Sequence, residues 1–226
     1  MLPRAEWRPL GLASGLSLGF VSVIDFYTAK SLSLVAFVEP GLVAVVQVLE
    51  MGLSVLCAIA VVLTLIAWPF LHREAHRKLT LVVLSMQTAG LLLDVLALLM
   101  TTLFGKHANP FYLLLEAALV HVSTVSLFTV WYATLDHHRQ AVRELGGPEH
   151  RQRLTWPQHS ARYPGYENWV PGFIDYYSFA FTVSSCLAPA EAMPLAAPVK
   201  LLVMTQVTLA LIILLVLAAR AIGLIV

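Results

Sequence analysis

Long uninterrupted apolar segments constrain this chain more than any other feature of its sequence. A transmembrane helix needs about 20 mainly apolar residues, and four segments reach that length: residues 41–71, 79–104, 110–135 and 199–225. Composition agrees, because 59% of the 226 residues are hydrophobic and only 12% are charged, whereas about 25% of the residues of a typical soluble domain are charged. The sequence therefore predicts an all-α, polytopic membrane helix bundle with the lipid bilayer as its main partner.

A fifth apolar segment, Leu10–Ile24, is shorter and is followed directly by Asp25. It contains small residues at four-residue intervals, a stripe that lets membrane helices approach closely; these are Gly11, Gly15 and Gly19. A spanning helix, an interfacial helix and a cleavable signal peptide are the three interpretations. No convincing small-x-small cleavage site lies at the expected distance, which disfavours the signal peptide. We therefore expect four or five transmembrane helices.

Basic residues in the short loops predict the orientation, because cytoplasmic loops are enriched in Lys and Arg. With five spans, the N-terminus and residues 72–78 and 136–172 share one side and carry most of the positive charge, whereas residues 105–109 carry only Lys106. This distribution predicts a cytoplasmic N-terminus and an external C-terminus, in a bacterial inner membrane. Residues 137–145 are polar and are expected to extend the helix of 110–135 into water.

Several classes of function have no support in the sequence. The net charge of +1 excludes the clustered basic face that a nucleic-acid binder needs. No nucleophile–base–acid set, phosphate-binding glycine loop or zinc-protease motif occurs, so we expect neither an enzyme nor a cofactor. Potential metal ligands in the polar loop have irregular spacing and predict no metal site; they are Asp136, His137, His138, Glu149, His150 and His159. Cys57 and Cys186 lie in apolar segments and are expected to be small buried hydrophobes.

Ionisable side chains within the apolar segments are candidate functional groups, because such groups are costly in a membrane. They are Glu50, Asp94, Glu116 and His121, with Asp25 and Lys30 nearer a boundary. Gln87, Asp94 and Thr101 recur every seven residues and so share one helix face. These groups form either a proton or cation pathway, or a set of neutral, hydrogen-bonded residues that fix helix packing.

The C-terminal part combines a short apolar segment with a full-length span. Residues 173–189 are too short to cross a membrane, Pro189 and Pro194 interrupt the chain, and the span 199–225 follows at once. This order predicts a helix that enters the membrane and returns, or else an amphipathic helix that lies on its surface. In the first case the predicted pore-lining residues are Thr182, Val183, Ser184, Ser185, Cys186 and Gln206. The predicted organisation is a single transmembrane domain, 1–226, divided into an N-terminal helix (1–40), a three-helix bundle (41–135), a polar loop (136–172) and a pore-like hairpin (173–226).

Residues 173–183, together with Ala218, Ala219 and Arg220 in the last helix, resemble distantly the pore module of tetrameric potassium channels. In those channels a Thr-Val-Gly-Tyr-Gly segment lines the filter with carbonyl groups. Here Thr182-Val183 is followed by Ser184-Ser185-Cys186, so both filter glycines are missing and potassium selectivity is not implied.

The chain is more similar to an uncharacterised family of small bacterial membrane proteins that have an ion-channel-like C-terminal hairpin. The similarity covers residues 128–136 and 170–225, including Asp175-Tyr176-Tyr177, Met193-Pro194-Leu195 and Lys200. It implies a multi-spanning protein with a pore-like hairpin and, as in channels, a homo-oligomer. Three hypotheses follow: a channel that conducts small ions, a non-conducting scaffold or accessory subunit, and a proton- or cation-coupled transporter that uses the intramembrane acids.

Overall fold

A computed structural model of the protein describes residues 4–31, 40–67, 73–104, 110–144, 153–160, 165, 169–185 and 192–223. Its elements, in chain order, are α1 (Arg4–Ser31), α2 (Pro40–Ala67), α3 (Arg73–Phe104), α4 (Pro110–Glu144), β1 (Leu154–Thr155), α5 (Pro157–Ser160), α6 (Phe173–Ser185), β2 (Met193–Pro194) and α7 (Ala197–Gly223). The all-α prediction is confirmed. The expected polar extension of α4 is also present, because this helix continues to Glu144.

Four helices contain stretches that are long and apolar enough to cross a membrane: Leu10–Thr28, Arg77–Met100, Phe111–Asp136 and Ala197–Ala219. In α2 the apolar stretch among the described side chains is the shorter Met51–Ile66. Asp25 does not end α1, since the helix continues to Ser31. The chain is thus a membrane-embedded bundle, and α1 is one of its spanning candidates.

Contacts between helices establish their relative directions. Gly15 faces Leu65 and Ser54 bonds to the carbonyl of Ser22, so α2 runs antiparallel to α1. Gln87 bonds to the carbonyl of Leu18 and Thr28 lies beside Asp94, so α3 runs parallel to α1. Only five residues separate the end of α3 from the start of α4, so α4 begins near the end of α3, and Trp131 on α4 donates to Thr88 on α3 at 2.9 Å.

We call the end of the bundle where α3 begins and α4 ends the proximal end. The helix directions place the start of α1 and the end of α2 there as well. The start of α7 lies there too, because it is held near Arg153, close to Trp156, which contacts Asp136 near the end of α4. The helix ends that adjoin the basic segments therefore lie at one end of the bundle, as the sequence predicted.

The central helix of the bundle is α4, which packs against α1, α3, α6 and α7. Every residue from Ser123 to Val130 is buried, as expected for a helix that is surrounded on all sides. By contrast, α7 exposes a row of large apolar side chains that includes Leu201, Met204 and Leu215. An outer surface of this kind suits contact with lipid, while the polar groups of the bundle lie inside.

The short helix α6 enters the bundle from the proximal end and stops inside it. Tyr176, near its start, bonds to Asp136, whereas Ser184, near its end, bonds to Gln206. At 1.5 Å per residue, Gln206 lies about 14 Å along α7 from Ala197. The buried face of α6 consists of Tyr176, Phe179, Ala180, Val183 and Ser184. Thus α6 is a short helix that is packed within the protein and does not run the length of the bundle.

A two-strand clasp joins the two ends of the segment that contains α6. Leu154 pairs with Pro194 and Thr155 with Met193, in antiparallel register. The carbonyl of Arg153 also accepts hydrogen bonds from the amides of Leu195 at 2.9 Å and Ala196 at 3.4 Å. Because β1 precedes α6 and β2 follows it, the chain enters and leaves the bundle at the same end.

Candidate functional site

A small cavity with both polar and apolar lining residues lies between α1, α2 and α3. Its volume of about 20 Å³ is room for one or two water molecules or one dehydrated ion. The lining residues are Asp25, Leu53, Ser54, Cys57, Gln87, Gly90, Leu93 and Asp94. Each of the three helices thus contributes a polar residue to the lining of one cavity.

Gln87 is fully buried on α3 and has a fixed orientation. Its Nε2 donates to the carbonyl of Leu18 at 2.9 Å and to Ser22 Oγ at 2.8 Å. A carbonyl can only accept a hydrogen bond, so the amide nitrogen must face α1. The Oε1 atom is consequently the free end of the amide, and it is buried without a hydrogen-bond partner.

Two carboxyl groups line the same cavity. Asp25 on α1 is 7% exposed and Asp94 on α3 is 5% exposed. Asp94 Oδ2 lies 3.4 Å from the hydroxyl of Thr28, whereas Asp25 Oδ1 is buried without a hydrogen-bond partner. Buried polar atoms in folded proteins nearly always have partners, so Asp25 Oδ1 and Gln87 Oε1 are two acceptors that require an explanation.

The charge of the cavity lining has one sign. In the described part of the chain, none of the lining residues is Lys, Arg or His. Ser54 adds a hydroxyl, which donates to the carbonyl of Ser22 at 3.4 Å and leaves its lone pairs free to accept. The lining therefore supplies oxygen acceptors and negative charge, the environment that suits a cation or a proton.

Only part of the predicted set of intramembrane polar residues meets at this cavity. Asp94 and Gln87 both line it, which agrees with their predicted common face. Glu116 on α4 is also buried, and His121 Nδ1 is buried without a partner, but neither lines the cavity. Glu50 belongs to α2, and its side chain lies outside the described residues.

Asp25 is the member of the site that the sequence analysis placed at a boundary. On α1 it follows Ser22 by three residues and precedes Thr28 by three, and all three side chains are buried. This spacing marks one helix face. This polar stripe is the signal in the sequence that indicates a buried Asp25.

A second polar group fixes α6 between α4 and α7. Tyr132 Oη donates to Gln206 Oε1 at 2.6 Å, and Gln206 Nε2 donates to the carbonyl of Ala180 and to Ser184 Oγ, both at 2.7 Å. The ring of Phe179 packs edge-on against Tyr132, with centroids 4.8 Å apart. Every polar atom of the Gln206 side chain has a partner, so this group joins three helices without leaving an open polar surface.

At the proximal end, α6 is anchored by the carboxylate of Asp136. Tyr176 Oη donates to Asp136 Oδ2 at 2.9 Å, and Trp156 Nε1 lies 3.5 Å from the same oxygen. The Trp156 ring contacts Tyr176, Phe179 and Trp169, at centroid distances of 5.5, 6.3 and 5.8 Å. Burial, and then the charge of Asp136, raise the pKa of Tyr176 well above its ordinary value, which keeps this hydroxyl a hydrogen-bond donor.

The residues predicted to line a pore occupy different environments. Val183, Ser184 and Gln206 are buried within the bundle. Thr182 and Ser185 are partly exposed, and their hydroxyls donate to the carbonyls of Phe179 and Thr182 on their own helix. Cys186 lies outside the described residues. Whether any of these residues lines a pore stays a prediction.

Among the described residues, no group of three or more His, Cys, Asp or Glu is arranged to hold a metal ion. The fold and the cavity define a class, a polytopic α-helical membrane protein with a polar site among its first three helices. Comparisons with protein-family models, curated proteins and solved structures found no match for this chain. The interpretation of the site therefore rests on its own geometry.

Proposed function

We propose that this protein transports a proton or a small cation across the membrane, and that the cavity between α1, α2 and α3 is its ion site. The proposal rests on two carboxyl groups that line one small cavity. Ionisable groups at membrane depth are costly and commonly mark ion pathways. This is the transporter hypothesis of the sequence analysis, with Asp25 in place of the more distant acids.

The contrast between two glutamines is the observation that carries the proposal. Gln206, which joins α4, α6 and α7, has hydrogen bonds to every polar atom of its side chain. Gln87 has an unpartnered oxygen, as does Asp25 beside the same cavity. A cluster that served only to fix packing would be expected to satisfy its acceptors as the Gln206 group does. Unfilled acceptors around a cavity instead favour a ligand that brings positive charge or hydrogen.

Ion flux in proteoliposomes tests this function. The purified protein is reconstituted with a pH-sensitive dye inside the vesicles, and a sodium or proton gradient is applied. We expect flux that is at least tenfold lower in Asp25→Asn and Asp94→Asn. Glu116→Gln is the matched control, since it removes another buried intramembrane acid that lies outside the cavity. Absence of flux in the folded protein, or full flux in both Asp variants, would refute the proposal.

A second candidate is the channel-like pore module, which the position of the short α6 within the bundle supports. In a homo-oligomer, the partly exposed Thr182 and Ser185 of several copies would face a common axis and conduct ions there. The test is conductance through Thr182→Cys, which a thiol reagent should block. A monomeric protein, or unchanged conductance after modification, would exclude this pathway and favour a non-conducting scaffold or accessory subunit.

We further propose that the protein belongs to the bacterial membrane family that its C-terminal hairpin resembles. The anchoring of Tyr176 and the pairing of Met193-Pro194 with β1 support this assignment, because both involve residues of the shared motifs. On this basis the protein would reside in a bacterial inner membrane with the proximal end in the cytoplasm. No catalytic role is proposed for any residue.

A further inference from the structure

We infer that the cavity holds one proton as a neutral carboxyl group on Asp25, whose O–H group donates a hydrogen bond to Gln87 Oε1. This inference rests on the proposed function, because it names the proton as the ion of the same site and Asp25 as its carrier. Uptake forms the O–H bond at Asp25 Oδ1 and release breaks it, with water as the source and the acceptor of the proton.

The first supporting observation is that Gln87 can offer the cavity only an acceptor. Ser22 donates its hydroxyl hydrogen to the carbonyl of Leu18 at 3.1 Å, so its Oγ accepts from Gln87 Nε2 at 2.8 Å. The second hydrogen of Nε2 goes to the carbonyl of Leu18 at 2.9 Å. Both amide hydrogens are thus used on α1. The fully buried Gln87 keeps only Oε1, which has no partner among the described residues.

The second observation is that the cavity lining offers Asp25 no strong donor. Apart from the carboxyl groups, the described lining side chains that carry a hydrogen on a polar atom are those of Ser54, Cys57 and Gln87. Ser54 uses its hydrogen on the carbonyl of Ser22, Gln87 uses both of its own, and a thiol is only a weak donor. An ionised carboxyl group that is buried without partners is costly. A proton on Asp25 removes this cost and supplies the donor that Gln87 Oε1 lacks.

Asp25 and Gln87 are neighbours in the fold. Asp25 follows Ser22 by three residues on α1, and side chains three apart on a helix have Cβ atoms about 5–6 Å from each other. Because Gln87 bonds to the Ser22 hydroxyl, its amide group lies within one helical turn of the Asp25 carboxyl group. Both side chains line the same cavity, and Asp25 Oδ1 and Gln87 Oε1 are the unpartnered oxygens there. One hydrogen bond therefore satisfies both.

The other titratable groups around α1 do not take the place of Asp25. On the helices that pack against α1, those that line the cavity in the described part of the chain are Cys57 on α2 and Asp94 on α3. The described titratable residues of α1, α3, α4 and α6 that do not line it are Tyr27, Arg77, Lys78, Tyr112, Glu116, His121, Tyr132, Asp136, Asp175, Tyr176 and Tyr177. Asp94 differs from Asp25 because the hydroxyl of Thr28 lies 3.4 Å from its Oδ2.

Infrared spectroscopy of the protein in lipid nanodiscs tests where the proton is. At pH 7 an aspartate with the ordinary pKa of about 3.9 is ionised by a factor of about 10³. We nevertheless expect the spectrum of the native protein minus that of Asp25→Asn to contain the C=O band of one neutral carboxyl group, which shifts in deuterium oxide. Asp94→Asn should retain this band. A carboxylate band in its place, which would mean an ionised and hydrated Asp25, or loss of the band in Asp94→Asn, would overturn the inference.

A matched pair of glutamine variants tests the hydrogen bond itself. Gln87→Leu removes the acceptor with little change in volume, so the Asp25 band should move to a higher frequency, as expected for a carboxyl group that donates no hydrogen bond. Gln206→Leu makes the same change at a fully buried glutamine outside the cavity and should leave the frequency unchanged. An unchanged frequency in Gln87→Leu, or equal shifts in the two variants, would contradict the pairing.

The results also separate this inference from the proposed function. A neutral Asp25 at pH 7, in a protein that shows no flux, would establish the proton site and refute transport. Flux that depends on both aspartates, in a protein whose Asp25 is ionised at pH 7, would support transport and overturn this inference.

Discussion

Replacement of Gln206 by Leu should release α6 from the two helices that hold it. The two side chains have similar volumes, so the change removes the polar atoms without leaving a large cavity. It eliminates the bond from Tyr132 and the two bonds to α6, to Ala180 and Ser184. The Tyr132 hydroxyl is then left in a buried position with no partner from α7.

The expected loss follows from the number of bonds. Hydrogen bonds between helices in membrane proteins average about 0.6 kcal/mol and reach about 1.7 kcal/mol. Loss of three bonds, together with a buried hydroxyl that lacks its partner, should lower the free energy of unfolding by about 2–3 kcal/mol. Tyr132→Phe removes one of these bonds and should lower it by about 1 kcal/mol.

A double-mutant cycle measured by equilibrium unfolding in mixed micelles tests this reasoning. Because both single variants break the Tyr132–Gln206 bond, the double variant should be about 0.5–1 kcal/mol more stable than the sum of the two losses predicts. Thr205→Val is the control, since Thr205 is exposed and its hydroxyl donates within α7 to Leu201; it should change stability by less than about 0.5 kcal/mol. Additivity, or a loss in Gln206→Leu no larger than in the control, would show that this group does not hold α6.

Three further predictions concern packing, ionisation and orientation. A Cβ atom at Gly15 would overlap the Leu65 side chain on α2, whereas one at Gly19 would meet nothing within 4 Å. Thermal unfolding should therefore show that Gly15→Ala is destabilised by about 1–3 kcal/mol and that Gly19→Ala is unchanged or more stable. Equal effects of the two substitutions would contradict the close contact. Burial and Asp136 raise the pKa of Tyr176 in the folded state, so the unfolded state releases this proton first. The stabilisation that the neutral Tyr176 hydroxyl gives the folded state is complete below about pH 10, the ordinary pKa of tyrosine, and is lost as the pH rises further. Tyr176→Phe should therefore lose less stability than the native protein between about pH 9 and pH 11. Parallel losses in the two proteins would count against the assignment. In a background of Cys57→Ser and Cys186→Ser, Tyr112→Cys should react with an impermeant thiol reagent in intact cells and Lys200→Cys, at the proximal end, should not; the reverse pattern would invert the orientation.

The length and hydropathy of the helices could be predicted from sequence because a bilayer imposes both. The apolar runs 79–104, 110–135 and 199–225 correspond closely to α3, α4 and α7. The short length of α6 could also be anticipated, because its segment is too short to cross a membrane and is followed by prolines. What these predictions share is dependence on local length and composition.

The partners of the polar side chains could not be predicted in the same way. The sequence around Gln206 did not indicate its hydrogen bonds to α4 and α6. Asp25 was placed near a boundary, but it lines the cavity with Asp94. In both cases the outcome depends on the rotation and register of one helix against another, which a linear pattern of apolar and polar residues leaves undetermined. The pairing of β1 with β2 could not be predicted either, because strands of two residues carry no recognisable sequence pattern.

The clasp between β1 and β2 also sets an order of events during synthesis. Leu154 must wait for Pro194, its partner in the pairing, to leave the ribosome before the loop that contains α6 can close. By then α4 has already been made, so α6 can pack against it, while the last helix has only begun to emerge. The helix α6 therefore cannot be secured by the clasp when it is first made, and the bundle becomes complete only when α7 packs against it.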